Sequence, residues 1–350
     1  MKPARAVSSR TRLAMALVVA FAGPAVAQTP VPTSEAANPP PLVVGVGPIA
    51  IVVQDLEPAI EWYTSTLDFT LVDECELAGD GAARLTGQFG VRCRVARLSL
   101  GREQIQLIDY LAPEGRPIPP DSRSNDRWFQ HIAIVVRDID EAYARLRSAN
   151  VRHASSGPQT LPDWNPNAGG ISAFYFKDPD GHVLEIIHFP PGKGDPRWQA
   201  PDAPLFMGID HTAIVVADTE TSLAFYRDTL GLRIAGASEN YGTEQEHLNN
   251  VFGARLRITA LRTDSGPGLE LLEYLAPGGG RAFPVDTQAS DLWNWHTTLI
   301  APDADAAFEA ARAGGAWVSP GIEPGVGPLA PEGGAMARDP DGHALLLVRP

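Results

Sequence analysis

The sequence predicts an α+β chain built from four copies of one small unit, each a strand, a helix and then about three strands. Two observations carry that prediction. Four stretches share one start: "GPIAIVVQDLEPAIEWYTSTLDF" from Gly47, "QHIAIVVRDIDEAYARLRSANV" from Gln130, "DHTAIVVADTETSLAFYRDTLGL" from Asp210 and "WHTTLIAPDADAAFEAARAGGA" from Trp295. Anchored on Pro48, His131, His211 and His296, they are spaced by 83, 80 and 85 residues, and such self-similarity marks a repeated structural unit. The second observation is a turn, "DPDGH", which occurs at Asp178 in unit two and at Asp339 in unit four, each time just before a final apolar run.

The elements follow in order. Each unit opens with a short β-branched run, the signature of a buried strand. Asp138, Asp218 and Asp303 then stand where a helix begins, and an amphipathic helix follows, as with Leu223, Tyr226 and Leu230 at i, i+3 and i+7. The last strand is "QIQLIDYLAP" in unit one and "LELLEYLAP" in unit three; in units two and four it follows the turn as "HVLEIIHF" and "HALLLVRP". The linkers Glu114–Asp126 and Gly278–Asp291 match each other, so units one and two together resemble units three and four. Two domains are expected on that basis, 43–192 and 205–350.

The first 27 residues read differently. A basic front (Lys2, Arg5, Arg10, Arg12), an apolar stretch from Leu13 to Gly23 and the A-x-A pattern of Ala25 and Ala27 predict a signal peptide, 1–27, and a periplasmic or secreted protein. The apolar stretch is well short of the roughly 20 residues of a spanning helix, so no membrane span is expected once the signal is removed. Residues 28–42, rich in Pro, Ala and Thr, read as a disordered linker. Removal of the signal leaves 24 basic residues against 42 acidic ones, a net charge of −18, which excludes nucleic acid as a partner. Cys75 and Cys93 are either a disulfide across a hairpin or two buried thiols.

Taken with "DPDGH" and the "HxAIVV" starts, the repeat resembles the vicinal oxygen chelate superfamily, which includes glyoxalase I, extradiol ring-cleaving dioxygenases and bleomycin-resistance proteins. The resemblance covers roughly Val43 to Pro350 and implies four βαβββ modules paired into two open, barrel-like mixed β-sheets with flanking helices. It also implies one divalent metal ion (Fe, Mn, Zn, Ni or Co), held by ligands on the first and last strands of the modules. Strand-borne side chains that leave coordination positions open suit a substrate that chelates through oxygen.

Carried onto this chain, the first-strand positions are Pro48, His131, His211 and His296, and the last-strand positions are Gln106, Glu185, Glu270 and Leu346. Pro48 and Leu346 have no ligand atom to offer, and Gln106 is a weak one. The metal candidates are therefore His131, Glu185, His211, Glu270 and His296, with Glu185 and Glu270 also the catalytic candidates. Glu185 sits in an otherwise apolar run, where an unpaired carboxylate is costly to bury and a metal would account for it.

Two module pairings are open. If modules two and three pair, they hold a complete His/Glu/His/Glu set and modules one and four a nearly dead site; if neighbours pair, each half keeps three candidates. Loss concentrated in one site is the simpler history, which favours two with three.

The functional expectation is an exported, metal-dependent lyase or isomerase that moves a proton on a small oxygenated substrate, as a monomer or homodimer. A ring-cleaving dioxygenase is the alternative enzyme. "FYFKDPDGHVLE" matches the tail of the extradiol signature, with Tyr175 at its tyrosine, but "DWNPNAGG" from Asp163 carries Asn165 and Asn167 where that signature wants an upstream histidine. A non-catalytic binding or resistance protein is the third reading, with the loop "LPDWNPN" from Leu161 either a lid or a solvated turn. His182 and His343 belong to the turn and are left out of the site, while His247 and Tyr241 read as loop residues.

Overall fold

The computed structural model describes residues 40–350; the expected signal, and the expected linker up to residue 39, lie outside the described residues. Module one comprises β1 (Gly45–Val53), α1 (Leu56–Leu67), β2 (Thr70–Ala78), α2 (Asp80–Thr86), β3 (Arg92–Leu100) and β4 (Glu103–Ala112). Module two comprises β5 (Gln130–Val136), α3 (Ile139–Ser148), the two-residue strands β6 (Arg152–His153) and β7 (Gln159–Thr160), β8 (Ser172–Lys177) and β9 (Val183–His188). Module three comprises β10 (Phe206–Val216), α4 (Thr219–Leu223), β11 (Arg233–Tyr241), α5 (Thr243–Asn249), β12 (Arg255–Arg262) and β13 (Gly268–Ala276). Module four comprises β14 (His296–Ile300), α6 (Ala304–Gly314), β15 (Ala316–Trp317), β16 (Gly334–Arg338) and β17 (Ala344–Val348).

The helix starts behave as their sequences require. Asp138 accepts from the amides of Asp140 and Glu141, Asp218 from that of Thr221 and Asp303 from that of Ala306, each satisfying first-turn N–H groups. Beyond Leu223 the third helix widens into a π-helical turn, Ala224–Thr229, yet Leu223, Tyr226 and Leu230 all remain buried. Modules one and three each carry one short helix that the strand pattern did not reveal, α2 and α5.

Two open sheets result, and neither follows the order of the chain. One runs β15-β16-β17-β14-β1-β4-β3-β2 and joins modules four and one; the other runs β11-β12-β13-β10-β5-β9-β8-β6 and joins modules three and two, with β7 paired to β8. The hydrophobic cores divide the chain another way. Ile49, Ile51 and Tyr63 of module one pack with Ile132, Ile134 and Phe174 of module two, while Ile214 and Tyr226 pack with Leu299, Phe308 and Leu345 of modules three and four. Sheets therefore cross the boundary between the sequence halves 43–192 and 205–350, whereas the cores under the helices draw mainly on one half each, the first also taking in Phe206, Ile209 and Trp295 and the second Val43 and Val46.

The repeated turn holds these layers together. Asp178 accepts from the amides of Gly181 and His182 at 2.8 Å, and Asp339 from those of Gly342 and His343 at 2.8 and 2.9 Å. Gly181 and Gly342 have φ of +104° and +110°, a region that only glycine enters without strain. The second carboxylate oxygen accepts from a helix tyrosine of the preceding module, Tyr63 to Asp178 at 3.1 Å and Tyr226 to Asp339 at 2.9 Å. The turn histidines are structural as well. His182 lies 2.7 Å from Asp178 and 2.8 Å from the Leu292 carbonyl, and His343 lies 2.9 Å from the Val215 carbonyl.

Cys75 and Cys93 are free thiols standing diagonally across β2 and β3, where Cys75 opposes Val95 and Cys93 opposes Leu77. Burial pushes the Cys93 thiol up to about 12. No helix among the described residues is long and apolar enough to cross a membrane.

Candidate metal centre

Register alone brings four of the five expected ligands to one face of one sheet. β5 and β10 pair antiparallel with His131 opposite Ala213 and His211 opposite Ala133. The flanking strands run parallel to them and place Glu185 of β9 beside Ala133 and Glu270 of β13 beside Ala213. Because residues two apart on a strand share a face, the four side chains converge.

The geometry is close. Nε2 of His131 is 3.1 Å from Oε2 of Glu185, and Nε2 of His211 is 3.6 Å from the same oxygen and 3.3 Å from Oε2 of Glu270. One donor atom from each of His131, Glu185 and His211 lies within 4.8 Å of the others. Among the described residues, neither buried ring nitrogen of His131 has a hydrogen-bond partner, even though Nε2 is so near Glu185. A buried orphan nitrogen amid a second imidazole and two carboxylates is a donor set that a divalent cation satisfies, so these residues fit the expected metal.

The two histidines are supported differently. Nδ1 of His211 lies 3.0 Å from Oδ2 of Asp210, and that oxygen also accepts from Arg262 at 2.7 Å while Oδ1 accepts from the Trp198 indole at 3.0 Å. Burial opposes the charge on Asp210, but His211, Arg262 and Trp198 hold its carboxyl well below the usual range. Burial would likewise depress His211, yet the carboxylates of Glu270, Asp210 and Glu185 outweigh it and push the metal-free imidazole up to about 9. His131 has aromatic neighbours instead, its ring 4.9 Å from Tyr175 and 5.6 Å from Phe129. Asp210, Arg262 and Trp198 were not anticipated from sequence; the one signal was that "DH" in module three stands where the other histidines follow Gln130 and Trp295.

A cavity of ≈720 Å³ opens over the four ligands. Its walls include Tyr175, Asn167, Lys193, Ser238, Asn240 and Gln245. The loop from Leu161 is a wall rather than a solvated turn: Asn165 donates to Asn240 at 2.7 Å, Asn167 to the Ala237 carbonyl at 2.6 Å, and Trp164 stacks on Tyr241 at 4.4 Å. Lys193 ties the same loop down through the carbonyls of Pro166 and Asn167. Tyr241 itself is half-exposed and His247 is exposed, and neither lines the cavity.

His296 is the exception to the expected set. It lies on β14 in the other sheet, because β14 pairs with β1 and β17 and not with β5. Its register companions there are Pro48, Gln106 and Leu346, so a cation would find no second strong ligand. That face is also filled. Val326, Leu329 and Ala330, between β15 and β16, pack with Ala50, Val95, Ile108 and Leu346, and Gln106 donates to the Pro328 carbonyl at 2.9 Å. The segment that walls the cavity in module two thus plugs it in module four.

The model of the Glyoxalase/Bleomycin resistance protein/Dioxygenase superfamily matches twice, over residues 45–186 and 208–347. The chain belongs to this superfamily. A curated member, 2-epi-5-epi-valiolone epimerase from Actinomyces sp., is 35% identical over 158 residues, which span 43% of this chain and 83% of that protein. Among solved structures, glyoxalase I from Zea mays aligns with a TM-score of 0.55 at 18% identity, over 87% of this chain and 91% of the maize chain. A putative dioxygenase from Bacillus subtilis aligns at 0.51 and 14% identity, over 88% and 85%. At such identities these two speak for the glyoxalase-type fold alone, which here takes the form of two open mixed sheets.

Proposed function

We propose that this superfamily member is a divalent-metal-dependent isomerase that transfers a proton at a carbon next to a carbonyl, on a small, hydroxylated substrate. One observation carries the reading: two inward carboxylates share a centre with two histidines, and they differ in access. The Glu185 side chain is 6% exposed and lies near both histidines, whereas that of Glu270 is 23% exposed and lies near His211 alone. In this reading Glu185 serves as a fixed ligand, and Glu270 takes a proton from carbon and returns it.

A bound divalent ion would supply Lewis acidity to substrate oxygens. The chain's own groups do the rest. Tyr175 is buried beside that centre; burial, with the charges of Glu185 and Glu270 and nearby Tyr274, keeps its phenol protonated and able to donate a hydrogen bond. Gln245 presents a buried Oε1 that has no partner among the described residues, an acceptor suited to a substrate hydroxyl. The epimerase relative supports the isomerase class over the lyase class. Export is part of the proposal and rests on the sequence of residues 1–27 alone.

Deuterium exchange tests the reading. Metal-loaded protein in heavy water, given 2-epi-5-epi-valiolone or simpler hydroxyketones, should exchange the C–H next to the carbonyl as followed by NMR. Glu270→Gln should stop that exchange while one metal stays bound. A protein that holds no divalent metal, or exchanges no such proton, would refute the proposal.

A second reading has one observation in its favour. His131, Glu185 and His211 form a two-histidine, one-carboxylate set with Tyr175 beside it, the donor type of iron(II) oxygenases. Against it, Asn165 is committed to Asn240 and no histidine stands in the loop from Leu161. Oxygen uptake with a catechol after anaerobic iron loading would decide between the two.

A further inference from the structure

A second cavity, ≈140 Å³, lies beside the metal pocket and shares no lining residue with it. Trp128, Trp293 and Trp295 wall it, and Arg123, Lys177 and Asn249 supply polar groups. All three indoles are at least nine-tenths buried. Its volume is close to that of a cavity of about 150 Å³ known to hold one benzene ring.

The wall carries two cations and no carboxylate. In a chain with 42 acidic residues against 28 basic ones, guanidinium and ammonium groups find carboxylates readily, as Arg116, Arg262 and Arg281 do here. Among the described residues, neither Arg123, which is exposed at the mouth, nor the half-buried Lys177 forms an ion pair. Lys177 is half-buried, and burial together with the nearby Arg152 lowers its ammonium pKa, an environment that lacks an anion.

Duplication provides an internal control. Arg338 of "RDPDGH" is the counterpart of Lys177 in "KDPDGH". Arg338 donates to the Gly342 carbonyl at 2.7 Å and to Asn294 at 3.1 Å, and it stacks over Phe283 with 5.6 Å to the ring centroid. One half of the molecule therefore satisfies this cation internally and fills the space around it, while the other leaves both a cation and a ring-sized, indole-lined space.

We propose that this cavity is a second ligand site, separate from the metal centre, for a small aromatic carboxylate whose ring lies among Trp128, Trp293 and Trp295 and whose carboxylate meets Lys177 and Arg123. Indole faces offer the flat apolar contact, and the ammonium and guanidinium offer charge-assisted hydrogen bonds. The cavity abuts Phe129 and Gln130, immediately before His131, so occupancy would be felt at the start of the strand that carries a metal ligand.

Benzoate titrated into the full protein, read by tryptophan fluorescence and by calorimetry, tests this. Saturable binding is expected, about tenfold weaker with benzamide, which keeps the ring and loses the charge, and similarly weaker with acetate, which keeps the charge and loses the ring. Lys177→Gln and Arg123→Gln should each weaken benzoate about tenfold with unchanged circular dichroism, and protein stripped of metal by EDTA should bind it as well as before. The proposal is overturned if benzoate gives no saturable signal, if neither variant changes its affinity, or if removing the metal abolishes binding, which would place the carboxylate at the metal.

Discussion

Asp210 holds His211 through Nδ1 at 3.0 Å, whereas Nδ1 of His131, on the strand paired with that of His211, has no hydrogen-bond partner among the described residues. A carboxylate behind a ligating imidazole fixes its tautomer and raises its basicity, and removal of such a partner typically costs about 10–100-fold in metal affinity. Asp210→Asn should therefore weaken metal binding by that order, measured by competition with a chromophoric chelator. Gln130→Ala, at the matching position before His131, should leave affinity within about twofold on the same scale.

Metal content separates the two sheets. His131→Ala and His211→Ala should each abolish the single bound ion, because each removes a donor from the one cluster of β5, β9 and β10. His296→Ala should leave one ion per chain, as read by elemental analysis. Loss of metal in the His296 variant would contradict the separation of the sheets.

His296 predicts a pH dependence of stability. Burial alone depresses its imidazole to about 4, below the ordinary value of 6.5 that it regains on unfolding. The unfolded chain binds the proton first, so stability is full above about pH 6.5 and falls as the pH drops from there toward 4. Between pH 7 and pH 5 this histidine should cost about 2 kcal/mol. In denaturant melts at those two pH values, His296→Leu should lose about that much less than the wild type.

The tyrosine that seats each turn should matter to stability rather than to chemistry. Tyr63→Phe deletes the donor to Asp178, and Tyr226→Phe the donor to Asp339, in fully buried surroundings. Each should cost about 1–3 kcal/mol by chemical denaturation while metal affinity is unchanged.

Much of this protein was written in its repeat. The β-branched starts, the helix-opening aspartates Asp138, Asp218 and Asp303, and the two Asp-Pro-Asp-Gly turns specify local structure through backbone preference and short-range hydrogen bonds, and all are found where the sequence placed them. The candidate residues His131, Glu185, His211 and Glu270 were legible for the same reason, since matched repeat positions reveal which strand residues depart from the apolar pattern. Which modules share a sheet was not legible, because both pairings satisfy the same local pattern. Only long-range strand pairing, β5 with β10 some eighty residues apart and β1 with β14 about 250 apart, separated His296 from the other four, turned the segment around Val326 into a plug, and brought Asp210, Arg262 and Trp198 behind one imidazole. Such contacts depend on long-range packing, which no stretch of the chain encodes by itself.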